Sequence, residues 1–178
     1  KKFVELMGGK ITVSSEIGKG TVVQFDIQAL ASEVSTNIEQ NRTRRVSGLQ
    51  PNQQKYRILV VDDRWENRQL LFRLLQPVGF QVKEATNGQE AIEIWQQWQP
   101  HLIWMDMRMP VMNGYDATQQ IKSHLQGQAT AIIALTASTL EEEKAIVLSA
   151  GCDDFVRKPF HEEVIFDKMA QFLGVRYI

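Results

Sequence analysis

Leu102-Ile103-Trp104-Met105-Asp106-Met107-Arg108-Met109-Pro110 is an apolar run that ends in a carboxylate and then breaks at a proline. A run so short and so sharply bounded reads as a strand buried on both faces of a parallel sheet, delivering one acid to the sheet's rim. In open α/β sheets ligands collect beyond the carboxyl ends of the strands, so Asp106 is the first candidate for chemistry. An Asp after a strand also serves as a turn former or helix cap, so its role depends on what converges on it.

Working outward from that strand, residues 56–178 alternate strand and helix five times. Ile58-Leu59-Val60-Val61 is a wholly apolar strand ending in Asp62-Asp63. The helix that follows places Leu70, Leu71, Leu74 and Leu75 on one stripe and stops near Pro77 and Gly79. Phe80 to Glu84 is a shorter strand, and Asn87-Gly88-Gln89-Glu90 has the form of a capping box opening a helix that buries Ala91, Ile92 and Trp95. The Asp106 strand is third. After Asn113-Gly114 a helix carries Ala117, Ile121 and Leu125. Ala131 to Leu135 is a fourth strand ending in Thr136, and Ser138 with Glu141 caps the next helix, which stops at Gly151. Asp154-Phe155-Val156 is a short fifth strand running into Lys158-Pro159, before a last helix that buries Val164, Ile165, Met169, Phe172 and Leu173. Right-handed crossovers turn five such units into a doubly wound α/β domain, flavodoxin-like (βα)5, with parallel strand order 2-1-3-4-5.

In that order the first and third strands are neighbours at the topological switch point. Asp62, Asp63 and Asp106 then meet, facing Thr136 and Lys158 at the ends of the fourth and fifth strands. Three packed carboxylates repel one another, and a hard divalent cation with oxygen ligands, Mg2+ or Mn2+, relieves the repulsion. A cation, an ammonium and a hydroxyl around one nucleophilic carboxylate are what phosphoryl transfer requires, since catalysis there is mostly positioning and charge neutralisation.

Residues 1–30 read differently. Phe3, Val4, Leu6 and Met7 run into a Gly8-Gly9 helix stop, and strands from Lys10 to Ser15 and Thr21 to Ile27 flank Gly18-Lys19-Gly20. Val23, Phe25 and Ile27 share one face of the second strand. Elements so few cannot bury a core, so they form a helix-end and β-hairpin remnant of a larger domain. Residues 31–55, rich in Ser, Asn and Gln with Gly48, Pro51 and an Arg42/Arg44/Arg45 cluster, have the composition of a polar linker. The chain starts at Lys1-Lys2-Phe3 without methionine, which is expected of a piece of something longer.

A net charge of −1 in 178 residues gives no electrostatic reason to expect nucleic acid or an anionic membrane as partner. The single cysteine, Cys152, cannot form an internal disulfide, and no apolar run reaches the ~18 residues of a membrane span. The expected location is cytoplasmic.

Val60-Val61-Asp62-Asp63, the stretch Met105 to Gly114, Leu135-Thr136-Ala137 and Lys158-Pro159-Phe160 together resemble the receiver (response-regulator) domain family over about residues 56–174. The resemblance implies that Asp106 accepts a phosphoryl group from a phosphohistidine on a histidine kinase or histidine-phosphotransfer protein. It implies that Asp63 ligates Mg2+ directly and Asp62 through water, with Asp106 and the Arg108 backbone carbonyl completing the protein's ligands. Lys158 would pair with one phosphoryl oxygen and Thr136 would swing to bond another. Phe155 would be the switch aromatic, Lys158-Pro159 a cis peptide, and the fourth helix, fifth strand and fifth helix of the series the output and dimer face. Such a domain promotes its own phosphorylation and dephosphorylation. Arg64 and Asn113 depart from common family residues, and Arg108 lies where it can shield the acyl phosphate; these positions bear on the lifetime of the modified state.

Lys2 to Ile11, followed by Ser15-Glu16-Ile17-Gly18-Lys19-Gly20-Thr21, resembles the C-terminal end of a histidine-kinase ATP-binding domain, whose nucleotide-holding boxes this chain does not contain. The expectation is therefore the end of a hybrid sensor histidine kinase, without ATP binding of its own and with output by phosphotransfer or contact. His101, His124 and His161 lack the context of a phosphodonor histidine, and the four tryptophans suit packing. Three rivals share parts of the pattern. A flavin module would need a phosphate-cradling loop where Asp62-Asp63-Arg64-Trp65-Glu66 stands, and a dehalogenase-type phosphatase would need an acid where Arg108 stands. A docking-only pseudo-receiver would keep the fold without cycling phosphate.

Overall fold

The computed structural model describes residues 4, 5, 8–28, 46–137 and 141–178, with the side chains of 141–143 left out. The Ser138 cap, the apolar residues Phe3, Leu6 and Met7, and residues 31–45 of the linker stretch lie outside the described residues. The chain divides into two compact units, residues 1–42 and 43–178.

In the first unit, the helix end stops where Gly8 turns left-handed at φ 71°, with the Gly8 and Gly9 amides donating back to Glu5 and Val4. β1 (Ile11–Glu16) and β2 (Gly20–Phe25) form an antiparallel hairpin in which Ile11 faces Phe25 and Val13 faces Val23. Val13, Val23 and Phe25 share one face and are exposed within this unit.

The second unit is a parallel five-stranded sheet of β3 (Arg57–Val61), β4 (Gln81–Ala85), β5 (Leu102–Asp106), β6 (Ala131–Thr136) and β7 (Asp154–Arg157). Its order is β4-β3-β5-β6-β7, the expected 2-1-3-4-5 of the βα series. Alternation along the buried strands splits the core in two. Ile58, Val60, Leu102, Trp104, Ile133 and Leu135 face α1 (Trp65–Leu75) and α6 (Glu162–Leu173). Leu59, Val61, Ile103, Met105, Ile132 and Ala134 face α2 (Gly88–Trp98), α3 (Gly114–Ser123) and α5 (Glu141–Ser149). Asn87 caps α2 by accepting from the Glu90 amide at 3.0 Å. Glu90 in turn accepts from the backbone and hydroxyl of Thr86, one residue earlier than a standard capping box.

Three helix positions predicted as core are exposed instead. Leu70 is 58% exposed, because the buried stripe of α1 runs through Leu71 and Leu75. Leu125 is 84% exposed, since the chain turns extended at His124 and restarts as a single turn, α4 (Leu125–Gln128). That break brings Gly127 against Ile121, so closely that a Cβ would lie 1.8 Å from the Ile121 carbonyl oxygen. On α6, Val164 is exposed and Phe166 is buried instead. Among the tryptophans, Trp65 at the start of α1 is exposed, whereas Trp95 and Trp104 are core.

Residues 46–55, linker by composition, are held against the domain. The Ser47 and Gln50 amides donate to Ile178 and Arg176, and the Ile178 amide donates back to Gly48. Gln53 bonds the Arg176 backbone in both directions. Leu49 and Val46 pack on the α1/α6 core, next to Tyr177, whose ring contacts Phe80 and Phe166. The polar residues thus satisfy backbone groups while two apolar ones anchor the segment, a pattern too sparse for periodicity to reveal.

Leu49→Ala should lower unfolding stability by about 1–2 kcal/mol, less than the ~2–5 kcal/mol of a fully buried leucine, as read by urea titration. Burial pushes the Cys152 thiol up to about 11, so the native protein should resist iodoacetamide at pH 8 and react fast once unfolded in urea.

Candidate active site

Parallel register assembles the site. Val61 of β3 lies opposite Met105 of β5, so the residues that follow, Asp62 and Asp106, emerge side by side at the carboxyl edge. Asp106 pairs in turn with Leu135, which places Thr136 just beyond, and Lys158 leaves β7 with its amide bonded to the Thr136 carbonyl at 2.7 Å. Behind Asp106 the chain doubles back tightly. The Gly114 amide donates to Met107 at 3.1 Å, and a Cβ on Gly114 would lie 2.2 Å from the Asp106 carbonyl oxygen, so only glycine fits. Asn113 caps α3 through the Asp116 amide at 2.9 Å.

One carboxylate oxygen each from Asp62, Asp63 and Asp106 lies within 4.8 Å of the other two. Lys158 Nζ bridges two of these acids, 2.6 Å from Asp62 Oδ2 and 3.2 Å from Asp106 Oδ2. A cleft of about 310 Å3 opens over them, lined by Asp63, Asp106, Arg108, Thr136 and Lys158 among others. Asp62 is the buried member, 1% exposed, whereas Asp63 faces solvent. Burial raises the Asp106 carboxyl above the usual carboxylate range; Lys158 pulls against that shift and the nearby Asp62 adds to it. The donors are all hard oxygens converging on one point, with the exposed Asp63 accessible from solution, and this set suits a small divalent cation.

The structure therefore brings together Asp62, Asp63, Asp106, Thr136 and Lys158. Arg108 stands at the rim, its amide 3.4 Å from Asp106 Oδ1. Phe155 lies apart on β7, half-buried between the sheet and α5, with Lys144 Nζ 5.5 Å and the Arg157 guanidinium 5.9 Å from its ring centre. The Lys158–Pro159 peptide is cis. None of the three histidines joins the cluster: His101 accepts the Arg57 amide at the opposite end of the sheet, and His124 and His161 precede α4 and α6.

Two residues escaped the motif reading. Asn67 Nδ2 donates to both oxygens of Asp62 at 3.0 Å. Arg68 Nη1 donates to the Asp62 and Asp63 carbonyls at 2.9 and 3.2 Å, and the same guanidinium pairs with Glu84 on β4. A signal for Asn67 did exist: it continues the Leu71/Leu75 stripe one turn earlier, and a polar residue on a buried stripe needs a partner.

The profile of the response regulator receiver domain family matches residues 58–170. Over 172 residues, 97% of this chain, the sequence is 31% identical to the autoinducer 2 sensor kinase/phosphatase LuxQ of Vibrio vulnificus, of which it covers 20%. The chain spans between 3% and 20% of the lengths of the hybrid and sensor kinases among its relatives. Among solved structures, the receiver domain of the Pseudomonas aeruginosa sensor histidine kinase PA1611 has a magnesium ion coordinated in its active site cleft. It superposes with a TM-score of 0.64 at 30% identity, covering 68% of this chain and 99% of that one. The Saccharomyces cerevisiae receiver domain of Ssk1, crystallised with the histidine phosphotransfer protein Ypd1, gives a TM-score of 0.62 at 32% identity, covering 66% and 88%. With its parallel (βα)5 sheet and its acids, hydroxyl and lysine gathered at one edge, the chain belongs to the response regulator receiver domain family of two-component signalling.

Proposed function

We propose that Asp106 accepts a phosphoryl group from a phosphohistidine carried by a histidine kinase or a histidine-phosphotransfer protein. The observation that carries this reading is Lys158 shared between Asp62 and Asp106, with Asp63 and Thr136 open to the same cleft. An Asp106 carboxylate oxygen attacks phosphorus; the new O–P bond forms as the N–P bond breaks, and the imidazole nitrogen keeps that electron pair. Lys158 and Thr136 stabilise the equatorial oxygens. Asp63 and Asp106, with the Arg108 carbonyl, would hold Mg2+ directly and Asp62 through water. Bound there, the cation neutralises charge that the carboxylates alone would repel. Magnesium in the PA1611 receiver and the Ypd1 complex of Ssk1 support the cofactor and the partner class.

The switching face in this reading is α5–β7–α6, where Phe155 lies and where Ile146 and Val164 are exposed; a dimer would form on the same face. Residues 1–30 would be the tail of a histidine-kinase ATP-binding domain and 56–178 the receiver of a hybrid kinase in the cytoplasm. In support, the LuxQ alignment spans nearly the whole chain. The hairpin also presents an apolar face.

With Mg2+ and beryllofluoride, wild type should show saturable changes in amide NMR shifts around Asp106 and Phe155. Asp106→Asn should show none, and acetyl phosphate should label only the former. A wild type silent to both reagents would instead make this a docking-only pseudo-receiver.

A further inference from the structure

We propose that Asn67 is a positioning residue that lets Lys158 leave Asp62 for the incoming phosphoryl group. The inference rests on the phosphoacceptor reading of Asp106. Asp62 is almost completely buried, and among the described residues its carboxylate accepts from three groups: the Arg64 amide on Oδ1 at 2.9 Å, Lys158 on Oδ2 at 2.6 Å, and the Asn67 amide group on both oxygens. The Lys158 ammonium is the sole side-chain cation in that set, and it is already divided with Asp106.

When Asp106 carries a phosphoryl group, the ammonium must follow the new negative oxygens. A buried carboxylate deserted by its cation is strongly destabilised unless other donors keep it satisfied. Asn67 supplies those donors from the first turn of α1, where Arg68 pins the carbonyls of both acids and so holds the turn in place. The amide group is well matched to this role, because it solvates Asp62 without adding positive charge and leaves the acid cluster's full charge for a divalent cation. A lysine there would compete with the metal, and a leucine would leave Lys158 as the one side chain, among the described residues, bonded to Asp62.

The test compares Asn67→Leu with wild type, with metal-free melting to check the fold. The reagents are Mg2+ alone and beryllofluoride in saturating Mg2+, both followed by NMR. Asn67→Leu should weaken beryllofluoride binding about tenfold or more, the equivalent of one hydrogen bond to a buried charge, while Mg2+ affinity changes less than about threefold. In an Asp62→Asn background, where no charge remains to be compensated, the same substitution should change beryllofluoride affinity less than about twofold. Equal losses in both backgrounds, or an Asn67→Leu protein that binds like wild type, would overturn the proposal. Should Asn67→Leu fail to fold, Asn67→Ser, which keeps one donor, takes its place in the same cycle with a smaller loss expected. A wild type that ignores beryllofluoride would sink the phosphoacceptor reading itself; a responding wild type beside an unaffected variant would sink only the role of Asn67.

Discussion

One ammonium held between two carboxylates organises the functional end of this domain. Lys158 lies 2.6 Å from Asp62 and 3.2 Å from Asp106, and it is the counter-charge that lets a nearly buried acid and a half-buried one share an edge. Without it the pair would have to take up a proton or open to water. Packing alone does not call for these charges, since a hydrophobic replacement would fill the space as well. A third acid, Asp63, adds negative charge that Lys158 does not touch within ion-pair distance, and that surplus is what a divalent cation can occupy.

The sheet makes this geometry easy to hold. Beyond Arg57 at the start of β3, its central strands carry no charged side chain until Asp106 closes β5, so burial on both faces locks the register. A slip of one residue in β5 would turn Asp106 toward the opposite core and bury an unpaired acid, a far larger penalty than any gain in packing. The loops beyond the strands are therefore free to be specialised. Gly114 allows the return of the loop after Asp106, and Val111, left-handed at φ 68° despite its branched side chain, shows that this loop is shaped against local preference. Strain of that kind is tolerated where a rigid scaffold over-determines the conformation.

At the other extreme, α5 is lightly anchored. Among its described side chains only Val147 is buried, and Lys144 adds a contact to the Phe155 ring. With one buried residue among its described side chains, and beside an aromatic flanked by two cations, this helix can shift at small packing cost. The terminal segments are the reverse. Residues 46–53 and the final residues clasp each other by backbone and side-chain hydrogen bonds, tying the start of the domain to the tail of α6.

The amino-acid sequence by itself determined the five strands, their termination in Asp62, Asp106, Thr136 and Lys158, and hence the family, because apolar runs and strand-end residues are local signals. It also placed the Asn87 cap, which depends on a neighbour three residues away, whereas the Asn113 cap came from the structure. It misplaced Leu70 and Leu125, since which leucines of a stripe are covered depends on where a helix breaks and what packs on it. Only the tertiary structure decided how the charges are shared: Lys158 and Asp62 are 96 residues apart, and nothing local says that Asn67 takes both oxygens of Asp62 or that Gln53 reaches Arg176. Hydrogen bonds made by polar side chains carry no periodicity, so they become visible only when the chain is folded around them.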